Sequence, residues 1–191
     1  MKKRSIAAVV LAAAVCATAS IDAQTKSADK PFAVGGKVNI QLEGGEYEVR
    51  AAADNHVRIT MSGNTGNATV EVTVAGMQAN ASVKNTPHSN FRAVIEVPKT
   101  ADIVIRLTGG DLTVGGITGN KDIEATAGDV KISAGNPDDY ASLDASVKVG
   151  DLSTGPFNAK TSGFISKNAT WTGKGKYKLH ASLGAGDLKL R

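Results

Sequence analysis

The sequence predicts an all-β domain, read as a single-stranded β-solenoid of stacked coils of about 18–22 residues. Three observations predict it. Apolar residues alternate with polar ones at period two through most of the chain, the runs break at Gly, Asn and Asp, and a Gly-Asp-aliphatic step recurs in the second half. No amphipathic helical stretch follows the N-terminal segment, and the helix-favouring cluster Ala51-Ala52-Ala53 is ended at once by Asp54-Asn55.

At 191 residues, with 41% hydrophobic and 21% charged residues, the chain has the size and composition of one folded domain. Lys2, Lys3 and Arg4 precede an apolar run over residues 6–14, and Ala17-Thr18-Ala19 and Ile21-Asp22-Ala23 each offer a small-x-small cleavage site. Residues 1–23 therefore read as a secretory signal peptide, too short and too interrupted for a membrane span. Cys16, the one cysteine, follows Val15 and has Ala13 where an acylated lipoprotein cysteine has Leu three positions upstream, so lipidation is not expected. Removing residues 1–23 takes away three of the 22 basic and one of the 18 acidic residues, which leaves a formal charge of +2. No Lys/Arg stripe remains to track phosphates, which excludes nucleic acid as the expected partner.

Residues 24–36 are polar and read as a flexible leader; residues 37–191 form the β domain, with the Gly-Asp repeats strongest in 101–191. Strands are expected around Val38-Ile40-Leu42, Tyr47-Val49-Ala51, Val57-Ile59-Met61 and Val70-Val72-Val74, with breaks at Gly44-Gly45, Asp54-Asn55, Ser62-Gly63-Asn64 and Gly76. In the second half Gly110-Asp111-Leu112, Gly128-Asp129-Val130, Gly150-Asp151-Leu152 and Gly186-Asp187-Leu188 follow one another at 18, 22 and 36 residues. The last interval is twice the first, which predicts a degenerate repeat near Lys167-Asn168-Ala169-Thr170.

Further strands are expected at Ile123, over residues 143–149 and over residues 177–183. Two short strands and two turns per repeat make one solenoid coil, each strand pairing with its equivalents above and below at about 4.8 Å. Gly supplies the tight arc, and the Asp carboxylate accepts nearby backbone N–H groups, a structural role. The alternative architecture is an antiparallel β-sandwich or meander in which each Gly-Asp opens a hairpin turn. A transmembrane β-barrel is disfavoured, because eight scattered aromatics form no girdle.

Ile95-Glu96-Val97-Pro98, Ile103-Val104-Ile105, residues 108–114 around Gly110-Asp111-Leu112, Gly128-Asp129-Val130-Lys131-Ile132 and the closing Gly175-Lys176-Tyr177-Lys178-Leu179 with residues 184–190 carry a family likeness. On these residues the chain resembles the bacterial putative-adhesin, β-strand-repeat family, largely a domain of unknown function. The resemblance implies a β-solenoid, an exported or surface location and no established enzymatic role.

His56, His88 and His180 are far apart in sequence and have no cysteine to join them, so no zinc site is expected. There is no G-x-S-x-G step for a hydrolase, and the calcium β-roll spacing of Gly-Gly-x-Gly-x-Asp every nine residues is absent. Gly109-Gly110, Gly115-Gly116 and Gly173-Lys174-Gly175 lie between strands, without the helix a phosphate loop needs. Trp171 and Tyr177 could stack on sugar rings if both faced water; the competing reading places them over the end of the core.

The expectation is thus an exported, non-enzymatic cell-envelope protein, periplasmic or at the cell surface. It would be an adhesin-like or surface-binding scaffold presenting a repetitive face to envelope polysaccharide or another surface protein. No catalytic, cofactor-binding or metal residue is assigned, no cofactor is expected, and no integral span remains after cleavage. The alternative is an assembly protein that self-associates through solenoid ends, with the strand Leu188–Leu190 as the terminal edge.

Overall fold

The computed structural model describes residues 27–191; the expected signal peptide, Cys16 and both candidate cleavage sites lie outside the described residues. The chain forms β1 (Ser27–Pro31), β2 (Lys37–Ala51), β3 (His56–Gly63), β4 (Thr69–Ala75), β5 (Gln78–Lys84), β6 (Phe91–Val97) and β7 (Asp102–Gly115). It continues as β8 (Lys121–Ala127), β9 (Val130–Ile132), β10 (Tyr140–Val149), β11 (Leu152–Ser153), β12 (Lys167–Thr172), β13 (Tyr177–Ala185) and β14 (Leu188–Leu190). Two 3-10 turns, Pro137–Asp139 and Gly155–Phe157, are the helical pieces among the described residues, so the all-β expectation holds.

All strands join one 14-stranded mixed sheet, whose main path runs β1-β3-β6-β2-β7-β8-β13-β10-β12. Its centre is parallel: β2 on β7, β7 on β8, β8 on β13 and β13 on β10. Its margins are antiparallel, with β12 on β10 at one side and β4 on β5, β3 on β6 and β1 on β3 at the other. A mixed sheet with antiparallel margins is compatible with the sandwich-like alternative.

Period two dictates which side chains go inside, and the glycine steps change its phase. In β7, Ile103, Ile105 and Leu107 are buried before the step and Leu112 and Val114 after it; β2 does the same with Val38, Ile40 and Leu42, then Tyr47 and Val49. Odd positions point inward on one side of the step and even positions on the other. The strand therefore turns a corner there, and its two wings bury their apolar residues in one contiguous core. In β8–β9, β10–β11 and β13–β14 the same corner separates two named strands.

The corners stack. Going across the sheet, Gly45, Gly110, Gly128, Gly186 and Gly150 lie above one another, each with positive φ. Gly128 sits at φ +120, and a Cβ there would lie 1.9 Å from the Gly110 carbonyl oxygen. A methyl group cannot occupy that space, so Gly is required twice over, by conformation and by proximity. The acidic residue after each glycine completes the ladder. The Asp129 N–H donates to Asp111 Oδ1 at 3.3 Å, the Asp187 N–H to Asp129 Oδ1 at 3.3 Å, and the Asp151 N–H to Asp187 Oδ1 at 3.2 Å.

Four expectations are corrected. Residues 24–36 are not a flexible leader over their described part: β1 pairs with β3 from Ser27↔Thr60 to Pro31↔His56, and Phe32 is buried. An edge strand held by backbone bonds and one apolar anchor needs no alternating pattern, so the polar composition misled. The region near Lys167-Asn168-Ala169-Thr170 is not a degenerate repeat but β12, an antiparallel margin without a corner. The further repeat lies in β2, where Gly45 and Glu46 pair in register with Gly110 and Asp111.

Coils stacked in chain order are also not observed, because β13–β14 lies between β8–β9 and β10–β11. Leu188–Leu190 is consequently an inner strand flanked by β9 and β11, not a terminal edge. The turn between β12 and β13 makes this order possible by crossing the start of β10, with Gly173, Gly175 and Lys176 donating to the carbonyls of Ala141, Tyr140 and Asp139. A Cβ on Gly175 would lie 2.2 Å from the Asp139 carbonyl carbon.

One charged side chain is enclosed. Lys121, 1% exposed, donates from Nζ to the Gly119 carbonyl at 3.1 Å and to the Tyr140 hydroxyl at 2.8 Å, and Tyr140 donates in turn to the Ala134 carbonyl at 2.8 Å. Burial lowers the Lys121 pKa to about 8 from the ordinary 10.5 and pushes Tyr140 up to about 12.

Two outcomes are expected. Gly128→Ala should cost more than about 3 kcal/mol in urea unfolding, against about 1 kcal/mol for Gly135→Ala, where φ is +81 but no atom lies within 4 Å. Equal costs would show that the corner relaxes freely. Between pH 8 and 10.5 the unfolded chain holds more protons at Lys121 than the folded one, so stability should rise with pH across that window. Unfolding midpoints at about pH 7.5 and about pH 9.5 measure this increment, which should be missing in Lys121→Met.

Candidate binding surface

Because the central strands pair in parallel and in register, equivalent outward side chains line up across the sheet. On the first wing Asn39 donates to Asn80 Oδ1 at 3.0 Å, and Ser146 meets Ser182 at 3.2 Å. Arg106 bridges to Asp122 at 3.1 Å and to Glu124 at 3.3 Å. His180 pairs in register with Asp122 and Asp144, its Nδ1 lying 3.6 Å from Asp144 Oδ2. On the second wing the corner carboxylates of Glu46, Asp111, Asp129, Asp187 and Asp151 run beside Lys131 and Lys189. Lys189 holds the Asp187 carboxyl below the ordinary carboxylate value, and the Asp151 N–H adds to the effect.

A shallow groove of about 550 Å³ crosses the first wing, lined among others by Gln41, Lys84, Arg106, Thr108, Glu124 and Ser182. Its residues come from β5, β2, β7, β8, β13 and β10, so it runs across the strands rather than along one. A second open depression of about 760 Å³ lies at the corner end, where His88 and Arg92 face Glu46 and Asp111. Both are polar and open, suited to an extended hydrophilic ligand rather than to an enclosed small molecule.

A charged cluster pins the opposite margin. Arg58 reaches Asp29 at 2.8 Å and Asp54 at 2.5 Å, and His56 Nδ1 lies 2.6 Å from Asp29. These contacts hold β1 on β3 and lower the carboxyl pKa of Asp29, first through His56 and then Arg58, and that of Asp54 through Arg58.

The three histidines remain apart, as their spacing indicates, but one of them gains acidic neighbours that sequence distance hides. Asp122, Glu124 and His180 bring ligand-type atoms within 4.8 Å of one another. The signal was the 58-residue register between β13 and β8, which no local motif announces. Arg106 already engages both carboxylates, so this group is an exposed ion-pair cluster. Asp111, Asp129 and Asp187 accept backbone N–H groups, and Asp151 pairs with Lys167.

Trp171 and Tyr177 do not form a pair of outward platforms. Trp171 packs edge-on against buried Phe157 at 5.2 Å between ring centroids, Phe157 against Tyr140 at 5.4 Å, and Tyr140 against Tyr177 at 6.4 Å. The four rings close the end of the core beneath β12, as the core-covering reading expects.

No protein-family model matches the chain, and no curated protein does. Among solved structures, a putative cell adhesion protein from Clostridium sporogenes ATCC 15579 is similar over 87% of this chain and 99% of its own, with a TM-score of 0.51 and 14% identity. The likeness is one of fold.

Trp171→Ala should lower the unfolding free energy by about 2–3 kcal/mol, because it removes an edge-to-face contact and half-buried area, while Trp171→Phe should restore most of it. A stable Trp171→Ala protein in urea would instead point to a ring available for ligands.

Proposed function

We propose that this is an exported, non-enzymatic surface-binding scaffold of the cell envelope, in which stacked, coil-like rungs present equivalent polar side chains at a fixed spacing. The in-register parallel centre of the sheet carries this reading, since it converts one rung's side chains into columns that repeat at about 4.8 Å. The adhesin-like fold neighbour and the signal-peptide character of residues 1–23 support the same direction.

The mechanism is geometric. An extended polysaccharide laid across the rungs meets Gln41, Thr108 and Ser182 along one groove and gains affinity from several weak hydrogen bonds. A fixed sheet lowers the ordering cost of each added contact. The envelope-polysaccharide reading is favoured over a compact ligand because the groove is open and more polar than apolar.

The test is sedimentation of the protein with insoluble envelope polysaccharide, together with titration by soluble fragments of increasing length. Affinity should climb steeply with fragment length; Gln41→Ala should weaken binding less than about threefold, and the triple Gln41→Ala/Thr108→Ala/Ser182→Ala about tenfold or more. Length-independent binding, or a triple variant that binds like the wild type, would sink the proposal.

A further inference from the structure

Seven of the eight aromatic residues lie in the core or against it, and the eighth does not. Phe164 is 95% exposed and its neighbour Ile165 is 68% exposed, at the tip of a finger closed by the Ser162↔Asn168 bridge. Gly163, at φ +98, turns the chain there, and the reciprocal backbone bonds between Ser162 and Asn168, both 2.9 Å, hold its base. The finger is therefore a built projection, not a frayed loop. Val149, 59% exposed, ends β10 two residues beyond Val147, which pairs with Lys167 at the root of the finger.

The charge around the tip is one-sided. From residue 152 to residue 186 there is no Asp or Glu, whereas Lys160, Lys167, Lys174, Lys176 and Lys178 all fall in that stretch. Lys167 is tied to Asp151, while Lys160 is exposed two residues before the finger's base and Lys174 is exposed beyond the far end of β12. The stretch supplies the whole margin of the sheet at this side: β12, the cap beneath it and the finger. The segment itself carries no carboxylate, the neighbouring Asp151 and Asp144 lie against Lys167 and His180, and exposed lysines with a protruding Phe-Ile pair are complementary to an anionic bilayer.

We infer that the β12 margin docks on an anionic lipid surface, with Phe164 and Ile165 inserted among the acyl chains at the headgroup boundary and Lys160 and Lys174 meeting lipid phosphates. No helix among the described residues is long and apolar enough to cross a membrane, and none is required for such peripheral attachment. Neither the finger's residues nor Lys160 and Lys174 line the groove on the first wing, so the inference stands whether or not polysaccharide binds there.

The experiment is co-sedimentation of the protein with phosphatidylcholine vesicles containing about 30% phosphatidylglycerol, and with phosphatidylcholine alone, at low and high salt. The wild type should bind the anionic vesicles about tenfold or more tightly than the neutral ones, with the difference shrinking as salt rises. Phe164→Ser/Ile165→Ser should lose binding about tenfold while keeping its circular dichroism and unfolding midpoint, since both side chains leave the core untouched. Lys160→Glu/Lys174→Glu should abolish the preference for anionic lipid. In Phe164→Trp, emission beyond that of Trp171 should shift to the blue on vesicles and be quenched by brominated acyl chains.

Equal binding by wild type and Phe164→Ser/Ile165→Ser, or no binding to either vesicle, overturns the inference. So does a finger substitution that removes concentration-dependent dimers in sedimentation velocity while leaving vesicle binding intact, which would make the tip a contact between copies. Loss of polysaccharide binding with vesicle binding retained would strike the scaffold proposal alone.

Discussion

The architecture depends on a steric constraint at the corners: each rung's glycine α-carbon lies against the carbonyl of the rung beside it, at a distance that excludes a side chain. From that contact the rest follows. The positive φ at Gly110, Gly128, Gly186 and Gly150 shifts the inward phase by one residue, so both wings turn their Val, Ile and Leu residues into one core. The carboxylates of Asp111, Asp129 and Asp187 then accept the N–H of the next rung's aspartate. Glycine and aspartate are thus two halves of one device, the first allowing approach and the second closing the hydrogen-bond account.

This explains what was legible in the sequence and what was not. Strands β2 to β4, β7 to β10, β13 and β14 announce themselves because a half-buried strand must alternate, and the corners because only glycine fits them, whereas the short polar β12 does not. The corner of β2 escaped because Glu46 and Tyr47 stand where Asp and an aliphatic residue stand elsewhere, although Gly44-Gly45-Glu46-Tyr47 matches Gly109-Gly110-Asp111-Leu112 in register. Strand β5 escaped for a different reason: Ala79 and Ala81 are fully buried beside β2 but are too weakly apolar to mark a strand in the sequence. The surface was the least legible part, since Asp122 and His180 meet only through a 58-residue register.

The margins show where the stack of parallel, cornered strands stops. β12 and β4 run antiparallel to their neighbours and lack the glycine corner, so neither continues the ladder. Aromatic rings finish the same task inside: Tyr47 and Phe91 at one side, and Tyr140, Phe157, Trp171 and Tyr177 at the other, fill the wider ends of a core whose middle is aliphatic. With a single cysteine no intrachain disulfide is possible, and these closures take over the function of a staple. They also argue against the expected terminal role of Leu188–Leu190, since charging that strand would strike between β9 and β11 in the core.

The order of the rungs raises a question of specificity, because β10 carries the same Gly-Asp corner as β13 and follows β8 directly. Stacking β10 on β8 would close a shorter loop and should be reached first. What favours β13 is the set of side-chain contacts at its start. At the start of the rung, Asn120 bonds Asp102 through both its backbone N–H and its Nδ2, and its Oδ1 accepts the Lys178 N–H at 2.8 Å. The crossing turn at Gly173–Lys176 then bonds the start of β10 from outside, which it can do only if β13 has passed to the other side. Equivalent corners make a stack possible, and the inequivalent residues flanking them select one order from the several that the corners alone would permit.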